Sequence, residues 1–156
     1  MSGRIGSDVN EVAVIEIRRS ALVACSPAQM FDLVNEVEAY PKRFAWCDGA
    51  EVIERGDNVL VARLDLKFAG FRQSFTTRNT VEPPHRLKMD LVDGPFRSLE
   101  GVWDFTALGD DGCKVAFALD FEYDGRLGGT ALKLGFQGLA GRMVDDFCRE
   151  ADRAYG

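Results

Sequence analysis

The sequence predicts an α+β domain in which one curved antiparallel sheet wraps one long C-terminal helix, with two short helices after the first strand. Three observations carry this. From Glu51 to Tyr123 apolar and polar residues alternate in segment after segment, with no long helical pattern between them. After residue 126 the period changes, and Leu132, Phe136, Leu139, Met143 and Phe147 recur at helical spacing, widened by Val144. Near the start, Ser26-Pro27 is a helix-opening pair that follows a strand-like run.

Each element follows in order. Val12 to Val23 reads as a first strand with Ile15, Ile17 and Ala21 on one side. Ser26 caps a helix whose first residue is Pro27 and whose buried stripe is Met30, Phe31, Val34 and Val37. Tyr40-Pro41 should end it, because the residue before proline is pushed out of the helical region. A short turn or helix from Lys42 to Trp46 comes next. Glu51 to Arg55 is a strand. Asn58 to Phe68 alternates with Leu60, Ala62, Leu64, Leu66 and Phe68 inward. Ala69-Gly70 turns the chain. Phe71 to Val81 brings Phe71 and Phe75 inward, and Pro83-Pro84 breaks it. Arg86 to Val92 sets Leu87, Met89 and Leu91 inward. Asp93-Gly94-Pro95 cannot sit in a regular ladder, and the strand after it aligns Leu99, Gly101, Trp103 and Phe105 on one face. Gly109 to Gly112 is a hairpin turn into a last strand with Val115, Phe117, Leu119, Phe121 and Tyr123 inward. The helix from Leu127 to Arg153 then shows Asp145, Asp146, Arg149, Glu150 and Asp152 on its wet side. Its glycines (128, 129, 135, 138 and 141) each cost about 1 kcal/mol against alanine in a helix interior. Either the helix starts later, or small residues are required where it crosses something bulky.

The 156 residues suit one domain, 11–156, after a loose tail over 1–10. A net charge of −6 excludes a general grip on nucleic acid, so no stable DNA binding is expected. The charge is uneven: residues 63–97 carry a local +3 and the remainder −9. Arg63, Arg72, Arg78, Arg86 and Lys88 fall on outward parities there, as one basic sheet face that suits an anionic surface or as ordinary solvated residues. Cys25, Cys47, Cys113 and Cys148 show no CxxC pair and read as free thiols of a reducing compartment. The beginning of the chain has no charged-then-apolar leader pattern, and no run is long enough to cross a bilayer. A cytoplasmic location, with peripheral contact to the inner membrane, is expected.

Catalytic chemistry is poorly supplied. The single histidine, His85, sits in a turn; without a second one, or cysteines at ligand spacing, no metal site is expected. Asp65, Asp104, Asp120 and Glu122 fall on outward parities, and no phosphate-binding or nucleophile-elbow motif occurs. The inward surface is instead aromatic. Taken singly such residues read as a packed core; taken together they are expected to line an interior cavity, from Phe68, Phe75, Met89, Gly101, Trp103, Phe117, Phe136, Leu139 and Met143. The small inner-face Gly101 leaves room there for another element or for a ligand. Tyr40, Pro41, Phe44 and Trp46, with Phe96, form the candidate gate.

Four pieces of the chain resemble the START-like (helix-grip) proteins, in the coenzyme Q-binding branch that also holds the bacterial ribosome association toxin RatA. They are Ser26-Pro27-Ala28-Gln29-Met30-Phe31-Asp32-Leu33-Val34 with Tyr40-Pro41; Phe75-Thr76-Thr77-Arg78-Asn79; Leu91-Val92-Asp93-Gly94-Pro95-Phe96 with Leu99, Gly101 and Trp103-Asp104-Phe105; and Leu119-Asp120-Phe121-Glu122-Tyr123. Phe44-Ala45-Trp46-Cys47 departs from the family's usual wording. The resemblance implies a lipophilic cavity between helix and sheet, no catalytic residues and no required cofactor. It implies a bound ubiquinone-like polyprenyl lipid in support of respiration. For the toxin-named members it implies association with the large ribosomal subunit and blocked subunit joining. A polyketide cyclase-like enzyme on the same fold needs polar groups aimed inward, and the register supplies few: Gln73, Thr77, Asn79 and Tyr123.

Overall fold

The computed structural model describes residues 14–125 and 129–156. The expected tail over 1–10 and the first residues of the expected helix, 127 and 128, lie outside them. Seven strands form one antiparallel sheet in the order β1-β7-β6-β5-β4-β3-β2. They are β1 (Ile15–Val23), β2 (Cys47–Arg55), β3 (Val59–Phe68), β4 (Phe71–Glu82), β5 (Arg86–Asp93), β6 (Phe96–Leu108) and β7 (Gly112–Tyr123). Consecutive strands from β2 to β7 are neighbours joined by short turns, and β1 closes the far edge against β7. Helix α1 (Pro27–Asn35), a 3-10 turn (Val37–Ala39) and α2 (Tyr40–Arg43) link β1 to β2. The long helix α3 (Thr130–Tyr155) lies against the inner face of the sheet, and one core of buried apolar side chains joins the two layers.

Local chemistry explains the element ends. Ser26 caps α1 by accepting from the Gln29 backbone N–H at 3.1 Å, while the Gln29 side chain accepts from the Ser26 N–H at 3.0 Å. Gly94 adopts φ +154°, and a Cβ there would lie 2.7 Å from the Phe75 Cβ, so the Asp93-Gly94-Pro95 turn requires glycine. Leu108 pairs with Gly112 around a three-residue loop at Gly109.

Four expectations are corrected. Tyr40 does not end a helix: it is itself helical (φ −55°, ψ −42°) and opens α2, where Pro41 occupies the first turn and its missing N–H costs nothing. Helix α1 ends five residues earlier, at Asn35, and the buried Tyr40 hydroxyl donates back to its Val34 carbonyl. Phe71 has the inward parity but sits at the end of β4 beside the hairpin, beyond the core, and is 38% exposed. Glu150 is buried rather than wet, because Arg43 and Arg153 close over it. The long helix begins after Gly129. Gly135 is where it crosses the β3–β4 hairpin, since a Cβ there would lie 2.9 Å from that of Ala69 and 3.0 Å from the Phe68 ring.

Candidate functional site: an enclosed apolar cavity

The inner face carries two aromatic clusters, one under each half of α3. Under the C-terminal half, Tyr40, Phe44 and Trp46 gather on Phe147. Phe44 stacks on Trp46 at 4.7 Å between centroids, and Phe44 and Tyr40 lie 4.6 and 5.4 Å from the Phe147 ring. Trp103 reaches the same ring at 5.1 Å. Under the N-terminal half, Phe136 lies 4.9 Å from both Phe96 and Phe121, with Phe75 and Phe68 at 6.4 and 6.0 Å. Along the helix, the residues between these clusters that face inward include the smaller Ala140 and the flexible Met143.

The cavity opens between the clusters. Its walls are Ala62 and Leu64 of β3, Phe75, Thr77 and Asn79 of β4, Leu87 and Met89 of β5, Leu99 and Trp103 of β6, and Phe117 and Leu119 of β7. Val34, Val37 and Tyr40 close one end, and Phe136, Ala140, Met143 and Phe147 of α3 form the lid. The volume open to the centre of a water-sized sphere is about 50 Å³. That is room for a few waters at most, far below the 300–1,000 Å³ of a typical small-molecule site, so side chains fill most of the interior. The Met89 tip fills the space beside Gly101: a Cβ there would lie 2.5 Å from the Met89 terminal methyl and 3.1 Å from Leu119. Thioether side chains adapt easily, which makes this a compressible region of the wall.

Of the residues expected to line the cavity, Phe75, Met89, Trp103, Phe117, Phe136 and Met143 do so. Gly101 stands behind the Met89 tip. Leu139 is wholly buried outside the lining, and Phe68 faces the neighbouring hairpin clefts instead. The gate residues divide. Tyr40 and Phe44 sit together over Phe147, and Pro41 is exposed beside them. Phe96 is corrected: its ring contacts are with Phe75, Phe121, Tyr123 and Phe136, at the opposite end of the helix, because the Asp93-Gly94-Pro95 turn delivers it there. Asn79 and Thr77 join the site as its buried polar pair, with Thr77 Oγ1 donating to Asn79 Oδ1 at 2.8 Å. Their alternating inward parity was legible; their bond was not.

Polar contacts hold the Tyr40–Phe44–Trp46 cluster to α3. Trp46 Nε1 donates to Asp146 Oδ2 at 3.0 Å, and Arg43 Nη1 donates to Glu150 Oε2 at 2.6 Å. Hydrogen bonds from Arg153 and Arg43 hold the Glu150 carboxyl below its ordinary range despite its burial. Burial pushes the Tyr40 phenol up, and the Cys47 and Cys148 thiols up to about 11, so these thiols are protonated and unreactive at neutral pH.

The basic outward face is mostly neutralised. Arg63 pairs with Asp65, Arg72 with Asp48, and Arg86 with Asp104 at 3.9 Å. Among the described residues, Arg78 and Lys88 alone of the five have no acid within ion-pair distance. No group of three or more metal-ligating side chains gathers among the described residues, and no helix there is long and apolar enough to cross a membrane.

Comparison with known proteins agrees with this geometry. The family model described as polyketide cyclase / dehydrase and lipid transport matches residues 23–148. The ribosome association toxin RatA of Pseudomonas aeruginosa is 41% identical over 90% of this chain and 97% of its own. The coenzyme Q-binding protein COQ10 homolog B of Xenopus laevis is 29% identical, over 91% of this chain and 60% of its own. Among solved structures, the Zhui aromatase/cyclase of Streptomyces sp. R1128 superposes with TM-score 0.79 at 18% identity, covering 90% of this chain and 95% of that one. A START superfamily protein of Mycobacterium smegmatis does so with TM-score 0.74 at 20% identity, covering 89% and 98%. A sheet of this topology gripping a long helix over an apolar hollow, with that relatedness along nearly its whole length, places the chain in the polyketide cyclase / dehydrase and lipid transport family, with the ribosome association toxin RatA among its relatives.

Proposed function

We propose that this protein is a non-enzymatic binder of a hydrophobic, ubiquinone-like lipid, held between sheet and α3, and that it supports respiration as a carrier or chaperone of that lipid. The observation that carries this reading is the enclosed, almost wholly apolar cavity, lined by Trp103, Phe117, Phe136 and two methionines. Chemistry on a substrate would call for acids, bases or nucleophiles aimed inward. Asp104 and Asp120 instead stand on the outer face in ion pairs with Arg86 and Arg18, and His85 lies in the turn before β5. A relative that is a coenzyme Q-binding protein by name supports the same class of ligand. Because the resting cavity is small, uptake requires Met89 and Met143 to swing aside and the two aromatic clusters to separate. The test is to purify the protein from cells, extract it with organic solvent and identify co-purified lipid by mass spectrometry. A prenylated quinone is expected, as is quenching of Trp103 fluorescence by an added quinone. Repeated extracts without lipid, together with no quenching, overturn the reading.

A second reading is favoured by the 41% identity to a ribosome association toxin. On this reading the protein contacts the large ribosomal subunit through the outer face of β4 and β5. Arg78 and Lys88 lie diagonally there, on adjacent strands; Asp90 stands opposite Arg78 in the register, but neither base has an acid within ion-pair distance among the described residues. Phosphate contacts weaken steeply with salt. The protein is then expected in the large-subunit fraction of low-salt gradients, and Arg78→Glu with Lys88→Glu removes it. Absence of the wild-type protein from that fraction overturns this reading.

A further inference from the structure

One buried pair in the cavity wall is incompletely bonded. Thr77 and Asn79 lie two apart on β4, so both side chains point to the inner face, and they are only 7% and 4% exposed. Thr77 Oγ1 donates to Asn79 Oδ1 at 2.8 Å, and no other described residue bonds the Asn79 side chain. Among the described residues, the side-chain atoms that are sealed off without a partner are Asn35 Oδ1, Arg43 Nε and the Tyr123 hydroxyl. Asn79 Nδ2 is not one of them, so it reaches open space, and on this face that space is the cavity. The pair owns three polar hydrogens and uses one. The two Nδ2 hydrogens of Asn79 are therefore available to a ligand.

Their position matters as much as their number. Asn79 pairs across the sheet with Met89, and Met89 with Gly101, so donor, flexible side chain and missing side chain stand in one row. The Met89 tip fills the space that Gly101 leaves. Displacing that tip would clear the row between Gly101 and Asn79. Trp103 and Phe117, paired in the next inward row, flank it with aromatic surface.

We infer that Asn79, steadied by Thr77, is the headgroup-recognition residue of this cavity. It donates to a carbonyl oxygen of a planar ligand whose ring replaces the Met89 tip. The cavity thereby selects a quinone-type ring over a carbonyl-free arene of the same shape. This rests on the lipid-binding reading above.

The experiment titrates two probes calorimetrically, a short-chain ubiquinone and a dialkoxybenzene with the same alkyl tail and no carbonyl, against wild type, Asn79→Leu and Thr77→Val. Leucine and valine keep the branching of the side chains they replace and remove their hydrogen-bonding atoms; their methyl groups are bulkier, and the arene probe reads that packing effect. Asn79→Leu is expected to weaken quinone binding roughly tenfold and leave the arene unchanged, with a smaller loss for Thr77→Val. The infrared carbonyl band of the bound quinone is expected at lower frequency in wild type than in Asn79→Leu. Equal quinone affinity in wild type and Asn79→Leu overturns the assignment. So does an equal loss for both probes, which is a packing effect. Both results leave the lipid reading intact, whereas a wild type that binds neither probe overturns that reading and the assignment with it. Should Asn79→Leu fail to fold, the wild-type spectrum decides, and a carbonyl band unshifted from that in hydrocarbon solvent overturns the proposal.

Discussion

Gly94 and Gly101 each stand against a neighbouring side chain, yet a methyl group added to them meets different obstacles. At Gly94 the new Cβ would lie 2.7 Å from the Phe75 Cβ and 3.4 Å from its Cα, with φ at +154°. Neither the close approach nor the backbone conformation can relax, so Gly94→Ala is expected to cost about 1–3 kcal/mol in urea unfolding. At Gly101 the nearest obstacle, at 2.5 Å, is the end of Met89, three rotatable bonds from its backbone. Gly101→Ala is therefore expected to change stability by less than about 1 kcal/mol. On the proposed lipid-binding reading its effect falls on the ligand instead: it denies Met89 its resting place, pushes the tip into the cavity and weakens binding of an added quinone, read by quenching of Trp103 fluorescence. Equal stability losses at the two positions would contradict this division. The sequence already set Gly101 inward among large apolar neighbours; what filled the space was not legible, because a methionine's rotamer depends on every wall around it.

Helix α3 shows the same contrast along one element. Gly138 has only the flexible end of Arg142 near its missing Cβ, at 3.6 Å, whereas Gly135 meets the hairpin's Ala69 Cβ and the Phe68 ring at 2.9 and 3.0 Å. Gly138→Ala is expected to stabilise by up to about 1 kcal/mol, and Gly135→Ala to lose that gain and more, as measured by thermal unfolding. The helical period told which residues α3 buries, and its glycines told that something bulky crosses it. Only the folded hairpin tells which glycine is at the crossing. Tyr40-Pro41 misled for a related reason. The local rule against a helical residue before proline lost to tertiary anchoring by the Tyr40 hydroxyl and its ring contacts. Glu150 looked wet because a helix period cannot see Arg43, which approaches from α2. Its carboxyl is held below its ordinary range by Arg153 and Arg43. A carboxyl with a depressed folded-state pKa contributes stability above its unfolded value, and loses it as pH falls through the folded one. Glu150→Gln is expected to cost about 1–3 kcal/mol at pH 7 and progressively less below about pH 4, in denaturation curves taken across that range.

At the scale of the whole molecule, two layers meet through two aromatic clusters with a small hollow between them, and any large ligand must push a cluster aside to enter. The alternation of the strands and the stripe of α3 were enough to foresee the layers and six of the lining residues. The division into two clusters was not, because Phe96 travels to Phe136 by a turn whose direction no periodicity encodes. The cluster on Phe147 is the better candidate for the moving element. It rests on a short helix and the loop after it, tied to the sheet at its end by the Lys67 N–H donating to the Trp46 carbonyl at 2.9 Å, and two polar contacts, Trp46–Asp146 and Arg43–Glu150, hold it to α3. Trp46→Phe keeps an aromatic ring for stacking on Phe44 and removes the hydrogen bond to Asp146. Losing one such bond is worth about 1 kcal/mol, which raises the population of an opened gate roughly fivefold. If opening limits entry, quinone uptake accelerates by about the same factor, while equilibrium affinity changes little because the cavity wall is untouched. The variant also leaves Trp103, which lines the cavity, as the sole tryptophan, so stopped-flow quenching reads uptake without a background. An uptake rate equal to that of wild type would place the moving element elsewhere, at the Phe136 cluster beneath the other half of the helix.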